Sequence, residues 1–293
     1  MPTVFRPLAA VFWMCGAIAA FTAMAVATRE IKQTHDTFEI LAFRSAIGFV
    51  IVCTVAAAMG HLTRVRTDRL PSHLVRNVFH FTGQSLWFWA ITMIPLAQVF
   101  ALEFTSPIWV ILLSPLVLGE RLTRPRLIAA GLGFLGILIV ARPDFGHLDL
   151  GVAAAIGAAF FFAATTLMTK ALTRGEAIVT ILFWLTLMQA VFGTVAMLAD
   201  GAYTLPTLQT LPWLILIAIA GVTAHLCLTS ALALAPASFV VPIDFVRLPL
   251  IAAIGAAVYA EPVQATLFIG AALIFLGNWI NLRAATRATP PQA

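Results

Sequence analysis

Apolar residues in this chain fall into ten long runs, at 5–28, 38–60, 72–93, 98–118, 125–141, 148–172, 178–199, 211–234, 238–259 and 264–282. An apolar helix of about 20 residues is what crosses a bilayer, and each run approaches or exceeds that length. The connections are short and carry residues that turn or break a helix: Pro95, Gly119, Pro143, Gly175, Gly201, Pro206, Pro236 and Pro262. Pro95 and Pro236 separate runs that would otherwise merge. The pattern predicts an all-α integral membrane protein with ten transmembrane helices. Only the C-terminal tail, 284–293, reads as disordered.

Composition sharpens this picture. The chain is 61% hydrophobic and 10% charged, against roughly 45–50% apolar and about 25% charged in soluble domains. So much apolar surface cannot be hidden from water inside the protein, whereas a bilayer is itself an apolar solvent. The formal net charge of +5 does not point to nucleic acid, because the basic residues sit in short loops rather than along one face or tail. They act instead as orientation signals. With a cytoplasmic N-terminus, twelve Lys and Arg lie inside (Arg6, Arg64, Arg66, Arg69, Arg76, Arg121, Arg124, Arg126, Lys170, Arg174, Arg283, Arg287) and three outside (Arg29, Lys32, Arg142). That bias predicts both termini on the cytoplasmic side. The cysteines, Cys15, Cys53 and Cys227, are odd in number and lie in apolar runs, so they read as small apolar residues. The first run is long enough to span, so it reads as helix 1 and not as a cleaved signal.

The chain also matches itself. A shift of 141 residues places Pro95 on Pro236, Val99 on Val240, Phe104 on Phe245, Glu120 on Glu261 and Phe134-Leu135-Gly136 on Phe275-Leu276-Gly277. Glu103 falls on Asp244, and Thr28-Arg29 on Thr169-Lys170. Each copy holds five spans, an odd number, so the second must cross the membrane in the opposite sense. Inverted repeats of this kind are typical of secondary transporters, since two similar halves supply two similar states, one open to each side.

Charges inside spans cost roughly 2.5–3.5 kcal/mol each on insertion scales and usually face a cavity. Here they are Arg44, Glu103, Asp244 and Arg247. Glu103 and Asp244 are repeat mates, which predicts one acid on each side of a central cavity. Asp244 and Arg247 share a helix face, so they either pair with each other for structure or serve the cavity. Arg44 reads as structural, paired with Glu39 or a neighbouring helix, or reaching out to the membrane face. Pro107 and Pro115, and Pro242 and Pro249, lie within the same two spans. Each lacks the N–H that would bond the carbonyl four residues back, which for Pro107 is that of Glu103 and for Pro249 that of Phe245. These four are candidate kinks or hinges. In the third span His80, Gln84 and Trp87 form a polar-aromatic stripe, and Gln84 falls on His225 under the shift. For His80 the expected role is structural. The candidate substrate-binding set is therefore Glu103, Asp244, Arg247, Gln84, Trp87 and His225. An acid in such a dry site can exchange a proton or hold a cationic amine, and an arginine can hold a carboxylate. Gly131, Gly133, Gly136, Gly270 and Gly277 read as close-packing positions. No nucleotide loop, metal-spaced set or catalytic constellation appears, so no cofactor, metal or catalytic residue is expected.

The chain resembles the drug/metabolite transporter superfamily, specifically the ten-helix proteins built from two EamA domains. The resemblance rests on Ile94-Pro95-Leu96-Ala97, Ser106-Pro107, Leu118-Gly119-Glu120-Arg121 and Gly133-Phe134-Leu135-Gly136. The second copy carries Ala235-Pro236-Ala237, Glu261 and Phe275-Leu276-Gly277. Phe38-Glu39 followed by Phe43-Arg44, together with Arg76, looks like the branch of S-adenosylmethionine uptake proteins. The resemblance implies five-helix repeats at 8–142 and 149–283 around a central cavity, with a structural role for Glu120 and Glu261. It implies a secondary active transporter of a small organic metabolite (an amino acid, adenosyl compound, vitamin or drug-like molecule) in the bacterial inner membrane. A proton or counter-substrate is the expected partner, alongside the lipid bilayer. The alternative is a membrane-embedded enzyme acting on a lipid-linked substrate, which would need a nucleophile or metal set near an interface.

Overall fold

The structure, a computed structural model, describes residues 5–31, 33–94, 99, 102–141, 150–201, 203–259 and 265–288. Lys32, Pro95, Arg142, Pro143, Glu261 and Pro262 lie outside these residues. The described residues form ten helices: α1 (Pro7–Ile31), α2 (Thr37–Ala58), α3 (Leu70–Met93), α4 (Ser106–Leu118), α5 (Arg124–Ala141), α6 (Leu150–Leu172), α7 (Ile178–Asp200), α8 (Leu211–Leu234), α9 (the helical run 237–259) and α10 (Ala265–Ala288). α9 has three parts, an α-helical turn at Ala237–Val240, a 3-10 stretch at Val241–Val246 and an α-helix at Arg247–Tyr259.

Local chemistry sets several helix ends. Asp36 and Glu39 form a reciprocal capping box at the start of α2, with the Asp36 carboxylate accepting from the Glu39 N–H at 2.9 Å. Pro71, Pro107 and Pro212 occupy the first turns of α3, α4 and α8, where a missing N–H costs nothing. Gly119 ends α4 at φ 66°, a left-handed conformation that glycine adopts without a Cβ clash. α10 runs to Ala288, so residues 284–288 of the tail expected to be disordered are helical. The alanines there favour helix, and Arg283 adds a cation–π contact 4.8 Å from the Trp279 ring centre.

α1, α2, α6, α7 and α8 are each long and apolar enough on their own to cross a membrane. α3 is as long, but its His73, Arg76, Asn77, His80 and Gln84 lower its apolar content. Those polar side chains are buried, while Phe12, Val50, Leu116, Val195 and Phe268 stand exposed. Polar groups inside and apolar groups outside is the distribution that lipid selects, because only the protein interior can satisfy a polar atom there.

The ten helices are two inverted five-helix repeats, and packing shows their relation. The largest interfaces are α1 with α8, α3 with α6, α2 with α7 and α5 with α10. Replacing each helix by its repeat mate turns α1–α8 into α6–α3 and leaves α2–α7 and α5–α10 unchanged, as a pseudo-two-fold axis requires. Atomic contacts repeat in the same way. A Cβ on Gly16 would stand 2.9 Å from Cys227 Sγ, and one on Gly157 3.3 Å from Leu86 Cδ1; these are the same contact in the two halves. Likewise a Cβ on Gly136 would lie 2.6 Å from the Gly270 carbonyl, and one on Gly277 2.9 Å from the Ala129 carbonyl. Glycine at these places lets α5 and α10 approach backbone to backbone.

Candidate substrate site

The two helices that carry the intramembrane acids are both interrupted where the acids sit. Before α4, residues 102–103 are helical, Phe104 and Thr105 form a turn, and the helix restarts at Ser106. The Thr105 N–H donates to the Leu102 carbonyl at 3.0 Å, three residues back instead of four. In α9 the 3-10 stretch Val241–Val246 contains Asp244. Pro107 and Pro249 thus do not kink continuous helices, as expected from sequence. They stand in the first turns of the segments that restart after each acid, where proline is tolerated. Pro242 opens the 3-10 stretch, and only Pro115 lies inside a regular helix.

At these interruptions the repeat mates meet. Arg247 Nη2 donates to Glu103 Oε1 at 3.1 Å and to Asp244 Oδ2 at 2.9 Å. Trp87 Nε1 donates to the other Glu103 oxygen at 2.7 Å. The guanidinium also lies over two rings, 5.0 Å from the centre of Phe104 and 5.4 Å from that of Phe21. Phe104 and Phe245, again repeat mates, face each other at 6.4 Å. Two carboxyl groups share one guanidinium, one acid more than the arginine can balance, in a site whose three side chains are only 13–21% exposed. Asp244 Oδ1 and Arg247 Nε have no partner among the described residues. The ion pair therefore keeps one acceptor and one donor that no described residue uses.

A second polar group lies against this one. α2, α3, α7 and α8 enclose a cavity of about 30 Å³ lined by Arg44, His80, Gln189 and His225 among others. His80 and His225 meet edge-on at 5.1 Å, and His225 meets Phe21 at 5.6 Å. Phe21 therefore touches both the cavity wall and Arg247. The cavity lies on the pseudo-two-fold axis, since its lining includes the mate pairs Arg44/Leu185, Gly48/Gln189 and His80/Gly221.

The structure thus unites Glu103, Asp244, Arg247 and Trp87 in one cluster and places His225 in the adjoining cavity. Gln84 is buried one turn from His80; among the described residues its Oε1 has no partner and it joins neither set of contacts. Asp244 and Arg247 do pair with each other, yet the same nitrogen reaches Glu103. Sequence reasoning took Arg44 and His80 as structural and did not single out Gln189 or Phe21. Arg44 does not reach outward or pair with Glu39. It turns into the cavity, with Nη1 3.3 Å from Met24 Sδ, while Glu39 is held by His35 and by the backbone of Asp36 and Thr204. Its charge in an apolar run was the available signal. Gln189, a lone amide in the apolar α7, carried the same signal more weakly.

The face at which α1 starts is tied shut by side chains that cap neighbouring helices. Glu120, just past α4, accepts from the N–H groups of Ala237 and Ser238 at 2.8 and 3.1 Å and from the Ser238 hydroxyl at 2.6 Å. A carboxylate at a helix N-terminus satisfies free N–H groups and complements the helix dipole. Lys170 Nζ donates to the carbonyls of Leu232 and Ala235 at the end of α8, and Arg174 Nη2 to that of Leu118 at the end of α4 at 2.7 Å. On the opposite face His35 joins Glu39 at 2.9 Å and Thr210 at 3.0 Å.

Comparison with known proteins agrees with this architecture. The EamA-like transporter family matches residues 8–142 and 149–283. The chain is similar to a riboflavin transporter of Vibrio cholerae, 31% identical over 276 residues that cover 92% of each chain. It is also similar to an S-adenosylmethionine uptake transporter of Rickettsia bellii, 22% identical over 236 residues and 80% of each chain. A solved crystal structure superposes with a TM-score of 0.82 over 96% of this chain and 99% of that one, at 17% identity, a likeness of fold.

Proposed function

Because the chain belongs to the EamA-like transporter family, we propose that this small-molecule transporter works by alternating access, with the Glu103–Arg247–Asp244 cluster as its polar centre. The observation that carries the reading is the meeting of two repeat-mate acids on one guanidinium, at the interruptions of α4 and α9. Interrupted helices at a repeat interface are where transporters place substrate and coupling ions. The cluster's surplus acid makes it a receptor for one proton or one cationic group. The free Asp244 Oδ1 and Arg247 Nε can meet a donor and an acceptor on the substrate. The cavity of about 30 Å³ holds little more than a water molecule. The described state is therefore contracted, and substrate enters after the repeats move apart. The twelve-to-three charge bias supports an orientation in the bacterial inner membrane with both termini cytoplasmic.

The transporters named above carry riboflavin and S-adenosylmethionine, which share a planar nitrogen heterocycle. A heteroaromatic metabolite is the substrate class this reading assigns. The test is uptake of radiolabelled riboflavin and S-adenosylmethionine into proteoliposomes holding the purified chain. Accumulation of at least one of the two labels, released on permeabilising the vesicles, is the expected result. Binding without accumulation, or chemical conversion of the label, would overturn the reading.

A further inference from the structure

We propose that the Arg44–His80–Gln189–His225 cavity is the subsite that reads the edge of the substrate's ring, and that it takes a neutral or anionic cyclic imide in preference to a cation. This rests on the reading that the chain transports a heteroaromatic metabolite.

The cavity holds more hydrogen-bonding capacity than the protein uses. Both nitrogens of His80, Oε1 of Gln189 and Nε of Arg44 have no partner among the described residues, although His80 is 6% and Gln189 3% exposed. Buried polar atoms are nearly always paired, so four free ones around a single cavity mark a place where a ligand completes the set. The Gln189 amide cannot turn to relieve its oxygen. Its Nε2 donates to the Asn77 carbonyl at 2.9 Å, and Asn77 is itself held by Arg76, whose Nη1 donates to Asn77 Oδ1 at 2.9 Å. The oxygen is thereby fixed as an acceptor.

Where one half has His80 the other has Gly221, and where one has Gln189 the other has Gly48. The glycines carry no side chain into the cavity, so the polar groups on the axis come from one member of each pair, while Val222 closes on Gly48 and Arg44 on Gly221. The rings of His80, His225 and Phe21 stand edge to face in a row, a wall along which a flat ring can lie.

The ligand's chemistry follows from the donors and acceptors. Arg44 only donates and stays charged. Gln189 Oε1 only accepts, and neutral imidazole does one of each. The complement is a ring edge with carbonyl oxygens flanking an N–H. The cavity's one fixed charge is positive, so a sulfonium or ammonium group is repelled, strongly in a site with little water.

Lumichrome, a flavin ring with such a dione edge and no sugar, is the probe. Its fluorescence reports binding to the purified full-length chain. 3-Methyl-lumichrome is identical except that the imide N–H is blocked. The expected result is that methylation weakens binding by about tenfold or more, as loss of a buried hydrogen bond implies. S-adenosylmethionine should compete poorly with lumichrome, and Arg44→Gln should narrow that preference. The ligand comparison on the unaltered protein keeps the test valid even if Arg44→Gln does not fold. Equal binding of lumichrome and its 3-methyl form, stronger binding of S-adenosylmethionine, or no binding of any probe would each overturn the assignment. None of these bears on accumulation in proteoliposomes, which judges the transport reading separately.

Discussion

Arg247 holds two carboxylates at a depth where water is scarce, and each of the three depends on the others. Removing the cation leaves two negative charges facing each other in low dielectric, which costs several kcal/mol even after relaxation. Arg247→Met should therefore be lost from the membrane fraction. Adding Glu103→Gln and Asp244→Asn should restore its abundance, because the three changes together remove every charge. In-gel fluorescence of tagged variants measures this, and a triple variant as scarce as Arg247→Met would show that the arginine matters for packing alone. The members of this cluster were legible in sequence because charges in apolar runs are conspicuous and Glu103 and Asp244 align under the repeat. Arg44 and His80 were visible but read as structural, and Gln189 was not singled out. A long side chain such as arginine can point out along the helix or inward, and only the neighbours of α2 decide which. For Arg44 those neighbours are Met24 of α1 in its own repeat and α8 of the other repeat.

At the scale of elements, the proline positions pointed to irregular backbone, but proline spacing alone could not distinguish a bent helix from a restarted one. That difference arises from tertiary packing around Phe104 and Phe245. Of the glycines read as close-packing sites, Gly133, Gly136 and Gly277 stand in close contact and Gly131 does not. A Cβ on Gly136 would meet the Gly270 backbone carbonyl, whereas one on Gly131, on the same helix, meets nothing within 4 Å. Gly136→Leu should destabilise by roughly 1–3 kcal/mol or more, the cost of forcing volume into a packed interface. Gly131→Ala should be neutral or slightly stabilising. Thermal melts in detergent compare the two, and equal melting temperatures would refute the close α5–α10 contact. Glu120→Ala removes the cap on α9 and should cost about 0.5–2 kcal/mol, as other capping side chains do. Glu120→Gln, which keeps an acceptor, should cost less.

For the molecule as a whole, helix number and the inverted duplication were readable from apolar run lengths and the shift of 141 residues. The way the halves interlock was not. The main pairs join α1 to α8 and α3 to α6, so neither repeat forms its own bundle. Motion of one half against the other therefore opens the shared axis, where both the charged cluster and the cavity lie. The orientation follows from charge. A single cysteine at Asp68 or Thr123, in a cysteine-free background, should resist an impermeant thiol reagent applied from outside intact cells and react after lysis. Labelling before lysis would reverse the orientation.

The central claim is that the repeat-mate acids bind substrate or the coupling proton. The measurement that tests it most directly is proteoliposome uptake by Glu103→Gln and Asp244→Asn, compared with the unaltered chain at acid and neutral pH and at matched protein content. Both changes keep side-chain shape and one oxygen that accepts from Arg247 while removing a charge that can titrate; Glu103→Gln also gives up the second accepting oxygen, which Trp87 uses. The account predicts that each lowers uptake by about tenfold or more, or flattens its dependence on pH, as loss of one buried charged contact implies. Uptake by both variants equal to that of the unaltered chain at both pH values would contradict it.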